Sequence, residues 1–313
     1  MIDRVAEDAP YHQPVMLEEV IAALDIDPDG IYADVTADGG GHSAAILQRL
    51  GPAGRLLVLD RDPAALAECR RRFAADARVT VASSRFSDLG RTLAELLPGQ
   101  RLHGAVGDLG VSSEHLNNPD RGFSFMRDGP LDARMDPRSG PTAAQWLAEV
   151  DEAELVRVLR EWGEERYARR IAAAIVARRG TQPLTRTGEL AAVIAQAVPT
   201  RERGKHVATR SFLAIRMAVN EELDEVRDGL RAAIGALRPG GRLVLIAFHS
   251  IESRLVKNEL RRLAGRGPDA AEPPLVRLLR VPKTPSRDEQ RRNPRSRSAV
   301  LRAVERLPQA GPA

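Results

Sequence analysis

Apolar and polar positions follow two alternating rhythms over the first hundred residues. Ile31 to Val35, Leu56 to Leu59, Val79 to Val81 and Leu102 to Val106 are short apolar runs bounded by turn residues, the pattern of buried strands. Between them, His42 to Leu50 carries a helical pattern and ends at the turn Gly51-Pro52-Ala53-Gly54. Pro63 opens the next helix, where its missing N–H has no intrahelical partner to lose. Strands alternating with helices predict parallel βαβ units, and such sheets bind ligands beyond the carboxyl ends of their strands.

The rhythm changes after Ser113. Asn117 to Gly140 is rich in proline and glycine and reads as loop. Thr142 to Gly180 reads as nearly continuous helix, opened by a capping-box spacing of Thr142 and Gln145. Ala168, Ile171, Ala172, Ile175 and Val176 fall on one helical face. Further helices are expected over Thr187 to Val198 and Thr209 to Leu237, with no strand signal across the stretch. Strand pattern returns at Arg242 to Phe248, after the turn Pro239-Gly240-Gly241. Leu275 to Val281 and Ala299 to Val304 suit late strands on an antiparallel edge, with loop from Gly265 to Pro274. The economical organisation is α/β, a Rossmann-like core over 1–113 and 209–313 interrupted by an all-helical insertion over 114–208.

Composition narrows the class. Hydrophobic residues make up 43% of 313 positions, enough for a sizeable core. The single cysteine, Cys69, excludes an intramolecular disulfide and a cysteine zinc site, and no metal is expected. Leu243 to Phe248 is far too short to span a bilayer, and Met1 to Pro10 lacks a basic-then-apolar signal pattern, so a cytoplasmic protein without membrane attachment is expected. The pI is about 9.7 despite a net charge of only +4, and arginine dominates the basic residues. Arginine suits phosphate recognition, although a GC-rich coding sequence also favours it.

Six segments carry candidate chemistry. Asp34 to Ser43 places Gly39, Gly40 and Gly41 between a strand and a helix, where glycine lets backbone approach a ligand. Asp60 ends the second strand, where a carboxylate can accept both hydroxyls of a ribose; Asp60 or Asp62 equally suits the N-cap of the helix after Pro63. The two together point to a nucleoside cofactor and leave NAD and S-adenosylmethionine both open. Asp108 ends the fourth strand and is followed by small residues including Ser112 and Ser113, which suits a donor that must meet its acceptor in line. Asn117 to Asp136 is a polar, aromatic loop holding Arg121, Phe123, Phe125 and Arg134. His249 follows the last central strand as a base, a substrate contact or a structural residue. Arg280 to Arg302, with Arg291, Arg292 and Arg295 at its centre, is a basic tail fit for a nucleic-acid backbone or simply for solvent.

These segments together resemble one family, the small-subunit ribosomal RNA cytosine-N4 methyltransferases known as RsmH or MraW. The resemblance runs from His12-Gln13-Pro14-Val15-Met16 to Asn293–Ala299, and includes Arg121-Gly122-Phe123-Ser124-Phe125, Gly163-Glu164-Glu165-Arg166, Ala208-Thr209-Arg210 and Phe248-His249-Ser250. It implies a class I methyltransferase fold whose helical insertion helps hold RNA. It implies S-adenosylmethionine as cofactor, with Asp34, Gly39, Gly40, Gly41, His42, Asp60, Phe86, Asp108 and His115 around it. Asp108, Ser112, Ser113 and His249 become the candidate catalytic residues. Arg121, Phe123, Phe125, Arg134, Arg291, Arg292 and Arg295 become the candidate substrate contacts. The implied substrate is a decoding-centre cytosine of 16S rRNA in the small ribosomal subunit, with homodimer formation left open. The chain departs from the family's usual residues at Ala37-Asp38, His115, Ala133, Leu213 and Ser253, the last standing where an aspartate is usual. Two rival functions are an NAD-dependent oxidoreductase, for which no hydride-transfer site is evident, and a non-catalytic RNA-binding or ribosome-assembly factor on the same fold.

Overall fold

The computed structural model describes residues 14–199, 206–267 and 269–308; Met1 to Pro10, His12 and Gln13 lie outside the described residues. The chain divides into two compact units, one built from residues up to 110 and from 223 onward, the other from 111–222.

The first unit is a seven-stranded sheet. Its strands are β1 (Ile31–Asp34), β2 (Arg55–Asp60), β3 (Val79–Ser83), β4 (Leu102–Asp108), β5 (Leu237–Ala247), β6 (Val276–Leu278) and β7 (Val300–Arg306). They lie in the order β3-β2-β1-β4-β5-β7-β6. The first five are parallel, while β7 runs antiparallel to both β5 and β6. This is the Rossmann-like arrangement of class I methyltransferases, with the expected antiparallel edge. The order reverses between β1 and β4, and a crevice for ligands opens at such a reversal.

Both faces of the sheet are covered, which is why its strands read as unbroken apolar runs rather than alternating ones. Successive residues point to opposite sides. Leu57, Leu59, Leu243 and Leu245 join a core with Leu89, Leu93, Val226, Leu230, Val256 and Leu260. Their neighbours Leu56, Val58, Val244 and Ile246 join a second core with Val20, Ile21, Leu24, Ile46 and Phe73. Helices Leu17–Leu24, Leu89–Leu96 and Ser250–Leu263, which the strand pattern did not announce, supply part of this cover. β5 begins at Leu237, five residues before the expected Arg242. The turn Pro239-Gly240-Gly241 is an irregularity within the strand, between the pairs Leu102↔Leu237 and Gly104↔Arg242.

The second unit is helical, with its own core of Leu147, Leu155, Leu159, Ile171, Ile175, Leu190, Ile194 and Ile215. The expected long helix over Thr142 to Gly180 is three helices, Ala143–Glu149, Glu152–Glu161 and Ala168–Arg179. Asp151 makes the first break by capping the next helix, its Oδ1 accepting the N–H of Glu154 at 2.7 Å. The second break follows Gly163, which lies against the Leu159 carbonyl, and Glu164 takes a left-handed φ of 49°. The expected helix over Thr209 to Leu237 is likewise two, Thr209–Val219 and Glu222–Ala236, with Glu221 at φ 53° between them. Asn220 fixes this break: its amide accepts from Met135 N–H at 2.8 Å and donates to the Ala133 carbonyl at 2.7 Å. The boundary expected at 208/209 therefore falls at 222/223, because Phe212, Ala214 and Ile215 are core residues of the helical unit. Among the described residues no helix is long and apolar enough to cross a membrane.

Candidate functional site

The site residues of the sheet unit gather where β1, β2 and β4 end. Asp34 is the last residue of β1 and is 2% exposed. Its Oδ2 accepts the Ser43 hydroxyl at 2.7 Å and its Oδ1 the Thr36 N–H at 3.3 Å. Burial pushes its carboxyl up to about 6, against those hydrogen bonds. The turn that follows contains two left-handed residues, Asp38 at φ 44° and Gly40 at φ 73°. Gly40 has a steric reason as well, since a Cβ there would stand 2.8 Å from the Phe73 ring. Arg72 donates to the Gly39 carbonyl at 2.7 Å, so the turn is held from the helix Pro63–Phe73.

Asp60, at the end of β2, is tied to the same turn. Its Oδ2 accepts the Asp38 N–H at 3.0 Å and its Oδ1 the Asp62 N–H at 2.9 Å. The cap of the next helix is Asp62, whose Oδ1 accepts the Ala64 N–H at 2.9 Å, so the alternative capping role falls to Asp62.

Asp108 ends β4. Its N–H donates to Thr36 Oγ1 at 2.5 Å, and its Oδ2 lies 4.0 Å from His42 Nδ1, too far for a hydrogen bond. Its Oδ1 is buried with no hydrogen-bond partner among the described residues. Burial, then the nearby charges of Asp34, Asp38 and Glu252, hold this carboxyl well above the usual carboxylate range. His42 is pushed down to about 4 by burial, and its Nε2–H donates to the Val15 carbonyl at 3.0 Å. A neutral imidazole therefore faces a carboxyl that resists ionisation. Beyond β5, Glu252 is 2% exposed and accepts the Phe248 N–H at 2.9 Å. The His249 carbonyl accepts the Ser253 N–H at 2.8 Å, so its backbone starts helix Ser250–Leu263.

Thr36, Ser43 and Glu252 were not singled out in the sequence, though each lies inside or beside a quoted segment. They act by holding Asp108, Asp34 and the β5 end in place. Phe86 follows the carboxyl end of β3, three residues after Ser83. It is 6% exposed, part of the core, with its ring packed against Gly229, so its apolar bulk serves the sheet cover.

In the helical unit several expected contacts are engaged locally. Ser112 caps helix Ser113–Asn117 in a reciprocal box: Ser112 Oγ accepts from His115 N–H and His115 Nδ1 accepts from Ser112 N–H, both at 3.1 Å. The His115 ring stacks on Phe123 at 4.6 Å, and Phe123 is 6% exposed, so neither ring is a free platform. Arg121 donates to the Met135 carbonyl at 2.9 Å and lies over Phe123. Arg134 forms a bidentate pair with Asp132, both bonds 2.8 Å, and so is not an open cation. Phe125 meets Phe212 edge-on at 4.9 Å and stays half-buried.

The tail is ordered. Arg291 and Arg292 project from helix Arg287–Arg292, and Arg295 from the turn Pro294–Ser298; all three are exposed, Arg291 paired with Asp288. Arg302 is apart from them, half-buried on β7, and burial lowers its basicity.

What the strand-end acids fit is a nucleoside cofactor: Asp60 is placed for hydroxyls, and Asp108 Oδ1 is a buried acceptor still open.

The chain is 52% identical to ribosomal RNA small subunit methyltransferase H of Thioalkalivibrio sulfidiphilus, covering 96% of this chain and 98% of the relative. It is 50% identical to the protein of that name from Methylococcus capsulatus, covering 93% and 99%. Superposition on an rRNA methylase structure from Streptococcus thermophilus is loose, with a TM-score of 0.41 and 10% identity over 97% of this chain and 100% of that one. The model of the MraW methylase family matches residues 9–307, and the chain belongs to that family.

Proposed function

We propose that this S-adenosylmethionine-dependent methyltransferase modifies the exocyclic N4 of a cytosine in small-subunit 16S rRNA. The family and the names of its relatives support the substrate class. The observation that carries the choice of atom is the state of the chain's only cysteine. Methylation at carbon 5 of cytosine requires a nucleophile, normally a thiolate, to add to the ring first. Cys69 is fully buried, its S–H donates to the Asp38 carbonyl at 3.4 Å, and burial pushes the thiol up to about 12. It packs; it does not attack. An exocyclic amine needs no covalent step.

S-adenosylmethionine supplies an activated methyl group on a sulfonium. Gly39, Gly40, Gly41 and His42 would form the backbone seat for it, with Asp34 and Asp108 beside that seat and Asp60 accepting ribose hydroxyls. Asp108 orients the base. A carboxyl that keeps its proton offers one acceptor and one donor, the complement of the N4–H and N3 edge of cytosine. As the N4–CH3 bond forms, the acceptor oxygen would take the N4 proton while the carboxyl passes its own to N3, and the N3-protonated product would release that proton to solvent. The exposed Arg291, Arg292 and Arg295 would grip the RNA backbone. The base must leave its stack to be reached.

Nucleoside mass spectrometry of rRNA from small subunits treated with the purified protein tests the proposal. The expected product is N4-methylcytosine, with Cys69→Ser close to wild type and Asp108→Asn losing most turnover at saturating cofactor. Release of 5-methylcytosine, or a folded but inactive Cys69→Ser enzyme, overturns it.

A further inference from the structure

The tail reaches back to the beginning of the described chain. Glu289 stands on helix Arg287–Arg292, and its Oε1 accepts the backbone N–H of Met16 at 2.8 Å, across 273 positions of sequence. Met16 is wholly buried and left-handed, with φ 52°. A non-glycine residue holds that conformation only where its surroundings fix it, and its buried N–H needs an acceptor. One residue earlier, the Val15 carbonyl takes the Nε2–H of His42 at 3.0 Å. One earlier again, the Pro14 ring presses on Gly41, where a Cβ would stand 3.0 Å from a ring carbon. Pro14, Val15 and Met16 thus form a strap across the start of helix Gly41–Leu47, and Glu289 pins its far end. The support behind the pin is itself fixed. Ser286 caps the Glu289 helix at 3.1 Å, Gln290 donates to the Pro285 carbonyl at 2.9 Å, and Leu301 N–H donates to the Lys283 carbonyl at 2.9 Å. The helix therefore has no need of the Glu289 carboxylate for its own cap.

We infer that Glu289 is a positioning residue for the cofactor seat: through Met16 and the strap it holds Gly41 and His42 in the geometry that binds S-adenosylmethionine. The inference rests on the seat proposed above. It gives the tail a second duty, separate from the positive charge of its arginines.

The test compares full-length Glu289→Ala and Glu289→Gln. Calorimetry gives S-adenosylmethionine affinity, and hydrogen exchange reads the Met16 amide. Loss of one indirect clamp should weaken cofactor binding roughly fivefold to tenfold in Glu289→Ala. The Met16 amide should exchange faster, and KM for the cofactor should rise with kcat nearly constant. Glu289→Gln keeps an amide oxygen to accept the Met16 N–H, so it should restore affinity and protection. Should the alanine variant fail to fold, Glu289→Asp carries the same comparison, since its carboxylate is drawn back by one methylene. Wild-type affinity in Glu289→Ala (or Glu289→Asp) while Asp60→Ala binds weakly overturns the clamp alone, as does Glu289→Gln binding no better than Glu289→Ala. Undiminished binding in Asp60→Ala overturns the seat, and the clamp with it.

Discussion

Asp34 and His42 oppose each other in pH, and a substitution at either should expose the other. Burial raises Asp34 from its ordinary 3.8 to about 6, so between those values the folded chain keeps a proton the unfolded chain has released. Its contribution to stability is complete below pH 3.8 and is lost as pH rises through 6; the roughly two-unit interval corresponds to ~3 kcal/mol. Burial lowers His42 from 6.5 to about 4, so the folded chain stays neutral where the unfolded one takes up a proton. That contribution is present above pH 6.5 and is lost as pH falls through 4, again ~3 kcal/mol. From pH 4 to 6 the two slopes nearly cancel in the wild-type protein. Asp34→Asn keeps an acceptor for the Ser43 hydroxyl and removes the titration. Relative to wild type it should gain ~3 kcal/mol as pH rises from 3.8 to 6. It also withdraws a charge that raises Asp108, an effect of the same sign. His42→Gln should show the mirror image, losing stability relative to wild type as pH rises from 4 to 6.5. Urea unfolding at closely spaced pH values, with the denaturant slope unchanged, reads both curves. A flat or falling difference curve for Asp34→Asn would refute the reasoning.

Three further outcomes follow from the same geometry. Asp60→Ala should weaken S-adenosylmethionine binding at least tenfold in calorimetry. It should also cost about 1–3 kcal/mol in thermal or urea unfolding, because Asp60 holds the Asp38 and Asp62 amides before any ligand arrives. Replacing Arg291, Arg292 and Arg295 with alanine should flatten the logarithmic salt dependence of RNA binding by about 0.7 for each phosphate that is no longer neutralised, with cofactor affinity unchanged. Ser253→Asp should stabilise the protein by about 1 kcal/mol in urea unfolding. Arg302 is half-buried with Nε unpartnered among the described residues, and only the Ser253 hydroxyl meets its guanidinium, at 3.4 Å.

The sheet was legible because its strands are buried on both faces and end in acids. Leu56 to Asp60 and Leu102 to Asp108 needed no partner to be read as strands with carboxylates at their mouths. Two of the three helix breaks were not legible as stops. Val150-Asp151 and Asn220-Glu221 carry no proline or glycine, and the capping by Asp151 and the grip of Asn220 on Met135 and Ala133 are tertiary facts. The same limit governs the site. Asp34, Asp60 and Asp108 converge because strand order places them together. Phe86, Ser112, His115 and Arg134 are also engaged in a core, a cap, a ring stack and an ion pair, which are tertiary facts of the same kind. The bond from Glu289 to Met16 spans 273 positions of sequence, and no local pattern announces it.

The order in which the ribosome delivers these elements follows from the interruption of the sheet. β1 to β4 emerge first and can pair as β3-β2-β1-β4, but β4 then lacks its outer neighbour. Its partner β5 begins at Leu237, roughly 130 residues after β4 ends at Asp108. At elongation rates of about 5–20 residues per second that is on the order of ten seconds during which β4 is a bare, apolar edge. Such an edge invites pairing with another chain. Meanwhile the residues being made are helical and mostly locally connected, the kind of segment that folds quickly on its own. The newborn protein therefore carries a half-finished sheet beside a finished helical unit. Its yield on synthesis should depend on whatever shields β4 in that interval more than on the stability of the completed fold.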